Sequence, residues 1–165
     1  MLELVGLFLS GFSTKMLDGF KINKFSKKEI VYSLVFSLFT LIGFLVGLNL
    51  VPEMVVGLVI GLIITGKMDT PIFKLMSLGY ILMFMYFLLN NTINYFLLIG
   101  FFVTSVLDEL EIVRDYRPFL PLFSLMLFFI GYQHYLFAIL SFDIGYVLAA
   151  FIKKRFISWF FWKVS

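Results

Sequence analysis

Long runs of Leu, Ile, Val and Phe alternate with short polar and charged stretches along the whole chain. Reading each run between its charged boundaries gives about seven apolar segments, at residues 2–17, 30–50, 52–66, 71–90, 92–107, 118–140 and 142–160. Runs of this length are typical of helices that cross a lipid bilayer, because about 20 helical residues span its hydrocarbon core. Segments 2–17, 52–66 and 92–107 are shorter, so we expect half-spans, short packed spans or a locally thinned bilayer there.

Residues typical of helix starts stand at three segment boundaries. Pro-Glu at residues 52–53 predicts the first turn of the third segment, and Thr-Pro at residues 70–71 predicts a cap and a first-turn proline for the fourth. Ser-Phe-Asp at residues 141–143 predicts the cap of the seventh segment. Asp143 would then be a helix-start acid stabilised by the helix dipole. The alternative is a functional acid inside the membrane, because the end of the sixth segment decides its depth.

Three short patterns of the first half recur in the second half in the same order. Residues 14–18 recur at 104–108, residues 36–38 at 123–125, and the small-residue spacing of 57–61 at 145–149. We therefore expect two copies of a three-helix unit, residues 1–66 and 92–165, joined by a linker helix at residues 67–91. An even number of spans separates equivalent points, so the copies should be parallel and related by an axis along the membrane normal.

Lysine and arginine fall on one side of this seven-segment arrangement. That side includes Lys67, Arg114 and Lys163, whereas the other side holds Glu3, Glu53 and a polar Asn-Asn turn. The positive-inside rule places the N-terminus outside and the C-terminus in the cytoplasm.

The composition excludes several classes of protein. With 62% hydrophobic residues, 14% charged residues and a mean hydropathy of +1.05, the chain lies outside the range of soluble domains, so the lipid bilayer is its expected partner. The chain has no cysteine and one histidine, His134, which excludes disulfides, thiol chemistry and multi-histidine metal sites. Its net charge of +3 is split into clusters between apolar segments. Those clusters track a membrane boundary, and no nucleic-acid partner is expected.

This layout of three helices, one linker helix and three helices, with the N-terminus outside, resembles the SWEET and PQ-loop transporters. The resemblance is one of topology and covers the whole chain, although the Pro-Gln dipeptide that names the PQ-loop group is absent. It implies two parallel helix triplets and transport of a small solute. It transfers no functional residue to this chain.

The repeated polar pairs are the first candidate site. On a helix, Thr14 and Asp18 share one face, as do Thr104 and Asp108. If the axis brings the two helices together, two carboxylates and two hydroxyls would form an oxygen cluster able to hold a hard cation or share a proton. The alternative is that both acids end their helices in the headgroup layer, solvated or paired with a nearby Lys or Arg.

A second candidate site combines acids and bases on the positively charged side. The candidate metal ligands are Asp69, Glu109 and Asp115, and the candidate phosphate ligands are Lys67 and Arg114. Carboxylates around a divalent ion, beside a cation that binds phosphate, are what lipid-phosphate chemistry needs. The sequence holds no diagnostic spacing for such chemistry. The alternative is a mixed-charge loop that solvates the membrane surface.

Two polar residues and the glycine pairs allow two interpretations each. Gln133 and His134 would face the bundle interior if the sixth segment is helical to Leu140, or form an external turn if its helix ends near Tyr132. Glycines spaced four apart, at residues 43–47 and 57–61, let helices pack closely within one chain or join copies into a homo-oligomer.

The sequence thus predicts an all-α, polytopic transmembrane bundle. Its predicted function is a small-solute or ion-coupled transporter with a carboxylate cluster on the cytoplasmic side and a monovalent or divalent cation as ligand. The alternatives are a membrane-embedded lipid-modifying enzyme that uses a divalent metal at the cytoplasmic face, and a non-catalytic membrane assembly subunit.

Overall fold

The structure, a computed structural model, describes residues 1–17, 27–65, 78–82, 84–85, 87, 89, 93–110 and 117–162, apart from the side chains of 27–29 and 153–162. All regular structure in these ranges is helical, which confirms the predicted all-α class. The helices with defined ends are α1 (Leu2–Leu17), α2 (Lys27–Gly47), α3 (Pro52–Ile64), α4 (Tyr95–Asp108), α5 (Phe119–Phe129) and α6 (Gln133–Trp162). Further helical residues lie between 78 and 89.

The predicted boundary between the sixth and seventh segments is wrong. The chain turns ten residues earlier, where Gly131 has φ +104°, a conformation that glycine adopts without strain. The N–H of Gly131 donates to the carbonyl of Phe128 (3.2 Å) and that of Tyr132 to the carbonyl of Leu127 (2.9 Å). This is a Schellman cap, which satisfies the last carbonyls of α5.

Because the turn is at Gly131, α6 continues without a break through Ser141 and Asp143. The Ser141 hydroxyl does not cap a helix and donates instead to the carbonyl of Leu4 in α1 (2.7 Å). At 30 residues, α6 is about 45 Å long, which exceeds the hydrocarbon thickness of a bilayer. Asp143 therefore lies inside a long helix and not at its start.

Two of the described helices contain a stretch that is long and apolar enough to cross a bilayer, judged by length and composition: Ile30–Gly47 in α2 and Gln133–Ile152 in α6. Helices α3, α4 and α5 are apolar but shorter.

The six helices pack side by side in a ring. Helix α1 lies between α2 and α6, α5 lies between α6 and α4, and α4 packs on α3. A smaller contact between α3 and α2 closes the ring. Aromatic rings fill part of the interior: Phe44 of α2 lies 5.9 Å from Tyr80 and 6.1 Å from Phe142 of α6, measured between ring centres.

Glycine permits the closest helix contacts. A Cβ atom on Gly11 would overlap the carbonyl of Phe142, and one on Gly145 would overlap the carbonyl of Phe8, so the backbones of α1 and α6 touch. At the α3–α4 contact, a Cβ on Gly57 would meet the backbone of α4 around Phe101. Helices of the same chain therefore pack directly against these glycines. Close van der Waals contact of this kind stabilises the association of apolar helices.

Several hydroxyl side chains are buried beside the apolar core, and many large apolar side chains are exposed. The buried hydroxyl residues are Ser10, Ser13, Thr14, Ser33, Ser37, Thr40, Ser105 and Ser124. On α2 alone, the exposed large apolar residues are Val31, Tyr32, Leu34, Val35, Leu38, Phe39, Ile42 and Leu45. Small hydroxyl residues and an apolar core therefore fill the space between the helices, while many further Leu, Ile, Val and Phe side chains face outward.

We predict that Gly145→Ala lowers the free energy of unfolding by about 1–3 kcal/mol, because its methyl group overlaps a backbone carbonyl and forces α1 and α6 apart. The matched control is Gly79→Ala. Gly79 is helical and has no atom within 4 Å of the added Cβ, so this change should leave stability unchanged or raise it slightly. Thermal unfolding in detergent, followed by circular dichroism, measures both. Equal stability of the two variants would contradict the close α1–α6 contact.

Candidate functional site

One buried carboxylate joins the starts of three helices. Glu53, in the first turn of α3, is 7% exposed. Its Oε2 accepts a hydrogen bond from the Tyr135 hydroxyl of α6 (2.5 Å), and its Oε1 accepts one from the backbone N–H of Asn94 (3.1 Å). Asn94 in turn caps α4, since its Oδ1 accepts from the N–H of Phe96 (3.1 Å). We call Glu53, Asn94 and Tyr135 the Glu53 centre.

A second polar group lies at the opposite end of the bundle, where α1 and α4 end and α5 begins. We call it the Arg117 cluster; it comprises Lys15, Asp108, Glu109, Arg117, Asp143 and Tyr146. Arg117 is 7% exposed, and its Nη2 lies 3.2 Å from Oε1 of Glu109. Its guanidinium carbon lies 4.6 Å from the centre of the Tyr146 ring. This stacking supplies a cation–π attraction in a place largely closed to water.

Lys15 reaches the same tyrosine from α1. Its Nζ lies 4.6 Å from the centre of the Tyr146 ring and donates a hydrogen bond to the Tyr146 hydroxyl at 3.1 Å. Tyr146 therefore holds two cations, one from α1 and one from the segment that leads into α5.

Asp108 ends α4 and is fully buried. Its Oδ1 accepts from the N–H of Phe119 (2.7 Å) and its Oδ2 from the N–H of Leu120 (2.9 Å). Pro118, at the N-cap position of α5, makes no side-chain cap. Asp108 performs that function from another helix, and its negative charge also suits the positive end of the α5 dipole.

Asp143 of α6 is partly buried. It is attracted by the charge of Arg117 and repelled by that of Asp108. Tyr146 follows three residues later, so both side chains lie on one face of α6. The named members of the cluster therefore combine three acids with two cations around one aromatic ring.

The structure treats the members of the predicted Thr/Asp pairs differently. The hydroxyls of Thr14 and Thr104 donate to carbonyls of their own helices, at Ser10 (2.7 Å) and Gly100 (2.8 Å). Asp108 is engaged by the start of α5. Asp18 lies outside the described residues, so an ion site shared by the two aspartates stays a prediction.

Of the candidate metal and phosphate ligands, Glu109 is the one whose position the structure describes, and it is paired with Arg117. Asp69, Asp115, Lys67 and Arg114 lie outside the described residues. Among the residues that are described, no group of three or more His, Asp or Glu side chains is arranged to hold a metal ion.

Gln133 and His134 open α6 and are exposed. This position corresponds to the external-turn interpretation of the sequence. The His134 ring packs beside the ring of Tyr135, with centres 4.4 Å apart.

Sequence reasoning did not identify Arg117, Lys15 or Tyr146 as parts of one site, nor Glu53 as a buried acid. The hydrogen bond from Lys15 to Tyr146 joins residues 131 positions apart, and that from Tyr135 to Glu53 joins residues 82 apart. One local signal existed, because Asp143 and Tyr146 stand three residues apart on one helix. It becomes visible once α6 is known to be continuous.

The ion pairs of the Arg117 cluster can change in two ways. A carboxylate beside an arginine can take up or release a proton, which changes the attraction that holds the arginine. A guanidinium can also exchange one oxyanion partner for another, because its donors are directional and permanently charged. Both processes need the cluster to be buried but close to an end of the bundle, as it is here.

We predict that Asp108→Ala lowers the free energy of unfolding by about 1–3 kcal/mol, because two N–H groups at the start of α5 lose their acceptor. Asp108→Asn keeps one acceptor oxygen and should cost less. Glu3→Gln is the control, since Glu3 lies on the surface beside the terminal amine and its change should stay within about 0.5 kcal/mol. Chemical or thermal unfolding in detergent measures all three. An Asp108→Ala variant as stable as the control would contradict the capping role.

The fold and the two polar groups can be set beside known proteins. The chain matches no protein-family model, no curated protein and no solved structure. The Glu53 centre and the Arg117 cluster are therefore interpreted from their own contacts, burial and charge.

Proposed function

We propose that the chain is a multi-pass membrane protein whose ring of helices is surrounded by lipid. The support is the outward-facing apolar surface together with the buried hydroxyl residues. In water, an apolar surface of this extent would drive association. In lipid it has no such effect, and small residues such as serine and glycine become the natural packing surface between helices.

The helix contacts support the proposed parallel duplication. The repeated patterns pair α1 with α4, α2 with α5 and α3 with α6. Under that correspondence, the α1–α6 contact and the α4–α3 contact join the same two elements of the repeat. The equivalent glycines also behave alike, since Gly57 packs on the backbone of α4 and Gly145 on that of α1. A two-fold axis that passes through the centre of the ring, parallel to the membrane normal, would produce this arrangement.

Within that bundle we propose an ion-coupled carrier for a small solute, with the Arg117 cluster as its coupling site. The observation that carries the proposal is Asp143, an acid inside the apolar stretch Gln133–Ile152 and under the electrostatic influence of buried Arg117. Ionisable residues in apolar spans are costly and typically mark ion pathways.

The proposed coupling ion is a proton. An ionised Asp143 attracts Arg117, whereas a protonated Asp143 does not, so that proton uptake leaves Arg117 with fewer competing carboxylates. A change in the pairing of Arg117 affects the ends of α1 and α4 and the start of α5 together, because the cluster draws residues from all of them. Proton binding is thereby linked to the helix contacts at one end of the ring.

The proposed topology places the start of α1 and the turn before α6 outside, with the C-terminus inside. Because the natural chain has no cysteine, single cysteines can be introduced without removing others. Glu3→Cys and Gln133→Cys should react with a membrane-impermeant maleimide in intact cells. Lys163→Cys should react only after permeabilisation. Labelling of Lys163→Cys in sealed cells, at the rate seen for Glu3→Cys, would reject the orientation.

The carrier proposal predicts proton movement that follows a solute. Proteoliposomes loaded with a pH-sensitive dye are exposed to a panel of sugars, amino acids, carboxylates and phosphate. At least one solute should drive proton entry, which Asp143→Asn should abolish and Asp143→Glu should largely retain, because glutamate keeps the titratable group. Undiminished proton entry in Asp143→Asn would reject the role of Asp143, and no response to any solute would count against a proton-coupled carrier.

A further inference from the structure

One edge of the Arg117 guanidinium is buried and has no hydrogen-bond acceptor among the described residues. Neither Nε nor Nη2 donates a hydrogen bond to any described residue. These two nitrogens form the side-on edge of the guanidinium, whose parallel N–H groups match the two oxygens of a carboxylate or phosphate. Buried donors in folded proteins nearly always have an acceptor. The edge is therefore suited to a ligand that offers two oxygens.

Arg117 is held in place by more than its charge. Its φ of +43° is uncommon for a residue with a side chain, and such backbone strain persists where the surroundings impose it. The following residue, Pro118, has a restricted backbone of its own. The guanidinium lies against the Tyr146 ring, to whose hydroxyl Lys15 donates. The Arg117 guanidinium is thus held against Tyr146, in a segment whose backbone is constrained.

Glu109 is near the unfilled edge but does not fill it. Its Oε1 lies 3.2 Å from Nη2, yet neither Nη2 nor Nε makes a directed hydrogen bond to it. The attraction in this pair is therefore mainly that of opposite charges. A bidentate oxyanion would add two directed, charge-assisted hydrogen bonds in the same place.

We propose that the Arg117 cluster binds an oxyanion group, a carboxylate or a phosphate, on the Nε–Nη2 edge of Arg117. The oxyanion takes the place beside the guanidinium that Glu109 holds in this structure. The inference rests on the proposed carrier function and names the substrate class of the same site, a solute that bears such a group. An anionic lipid headgroup offers the same chemistry, so the test includes both sources.

The charge of the cluster links this binding to protons. Lys15 on α1 and Arg117 before α5 both contact Tyr146 on α6. The acids of the cluster are Asp108 and Glu109 at the end of α4 and Asp143 on α6. Asp108 is committed to the N–H groups of α5, which leaves Asp143 as the acid of α6 to accept a proton. An incoming anion adds negative charge to a site already rich in carboxylates. Oxyanion binding should therefore strengthen as the pH falls, because a proton enters with the ligand.

The experiment measures oxyanion binding by the full chain in a neutral detergent. Chloride is replaced stepwise by inorganic phosphate or by acetate at constant ionic strength, and the shift in Tm yields an apparent Kd for each anion. Both anions are tested at two pH values. Wild-type protein should show a saturable rise in Tm with at least one anion, larger at the lower pH. The absence of any anion-dependent shift in this arm, together with none in the lipid arm below, overturns the proposal.

Two variants of the site should act in opposite directions. Arg117→Lys keeps the charge but removes the bidentate edge, and should weaken the apparent Kd by about tenfold or more. Glu109→Gln removes the charged competitor and should strengthen it. Arg155→Lys, the same change at another arginine, is the control and should bind as wild type does. If Arg117→Lys does not fold, Glu109→Gln still decides, and an unchanged or weaker Kd in that variant overturns the proposal.

A lipid arm distinguishes the two sources of the oxyanion. The chain is placed in nanodiscs of phosphatidylcholine alone or with phosphatidylglycerol, and Tm is measured for the same variants. Stabilisation by free phosphate or acetate that depends on Arg117 supports a soluble solute. Stabilisation by phosphatidylglycerol alone, again dependent on Arg117, supports a headgroup phosphate. Equal shifts in wild type and Arg117→Lys in both arms overturn the site.

The outcome also separates this inference from the carrier proposal. Binding in detergent does not require transport, and the proton assay does not require an oxyanion substrate. A solute such as a sugar could drive proton entry that depends on Asp143 while no oxyanion changes Tm. That result would support the carrier proposal and reject the oxyanion site. Oxyanion binding without any solute-driven proton entry would support the oxyanion site and reject the proton-coupled carrier.

Discussion

A charge buried among apolar helices is stable only where donors or opposite charges surround it, and this constraint organises both ends of the bundle. Glu53 and Asp108 meet it in the same way. Each carboxylate accepts a backbone N–H from the start of another helix, at Asn94 in one case and at Phe119 and Leu120 in the other. These acids therefore position helix ends as well as carrying charge. Removing either carboxylate leaves buried donors without acceptors.

Between the two ends, close approach at glycines joins several of the helices. Gly11, Gly57 and Gly145 bring backbones into contact, and Gly43 and Gly61 lie against Ser10 and Ser105. Large apolar side chains lie both in the buried core and on the outer surface of the helices. The buried charged residues Glu53, Asp108 and Arg117 lie near the ends of the helices, where helix termini supply donors and opposite charges.

The Arg117 cluster differs from the Glu53 centre in one respect. The Glu53 carboxylate has partners for both oxygens, whereas two donors of Arg117 have none among the described residues. The same arginine has a left-handed φ and lies within reach of more than one carboxylate. The cluster has more carboxylates than cations, and two N–H donors of Arg117 have no acceptor among the described residues. This combination favours exchange of the partners of Arg117, which is what a coupling site needs. A fully satisfied centre such as that of Glu53 favours a single, rigid arrangement.

The local pattern of apolar and charged residues was sufficient to predict much of the helical layout. The predicted segments at 2–17 and 52–66 agree closely with α1 and α3, because a run of apolar residues bounded by charges or proline contains its own start and end. The turn at Gly131 was also readable locally, since glycine is the usual residue of a helix C-terminal cap. The sequence analysis left a helix end near Tyr132 open, because Ser141 and Asp143 offered a competing start signal ten residues later, and only the continuous helix shows which signal prevailed.

By itself, the sequence determined that the chain is all-helical, where most of its helices lie and which residues carry charge. The tertiary structure decided which charges meet. Asp108 finds its donors in the next helix, Glu53 finds Tyr135 across 82 residues, and Lys15 finds Tyr146 across 131. The physical reason is that helix formation depends on neighbours within a turn, whereas the partner of a buried charge depends on which helices pack side by side. That choice is made by glycine contacts and shape over the whole ring, and no short window of sequence contains it.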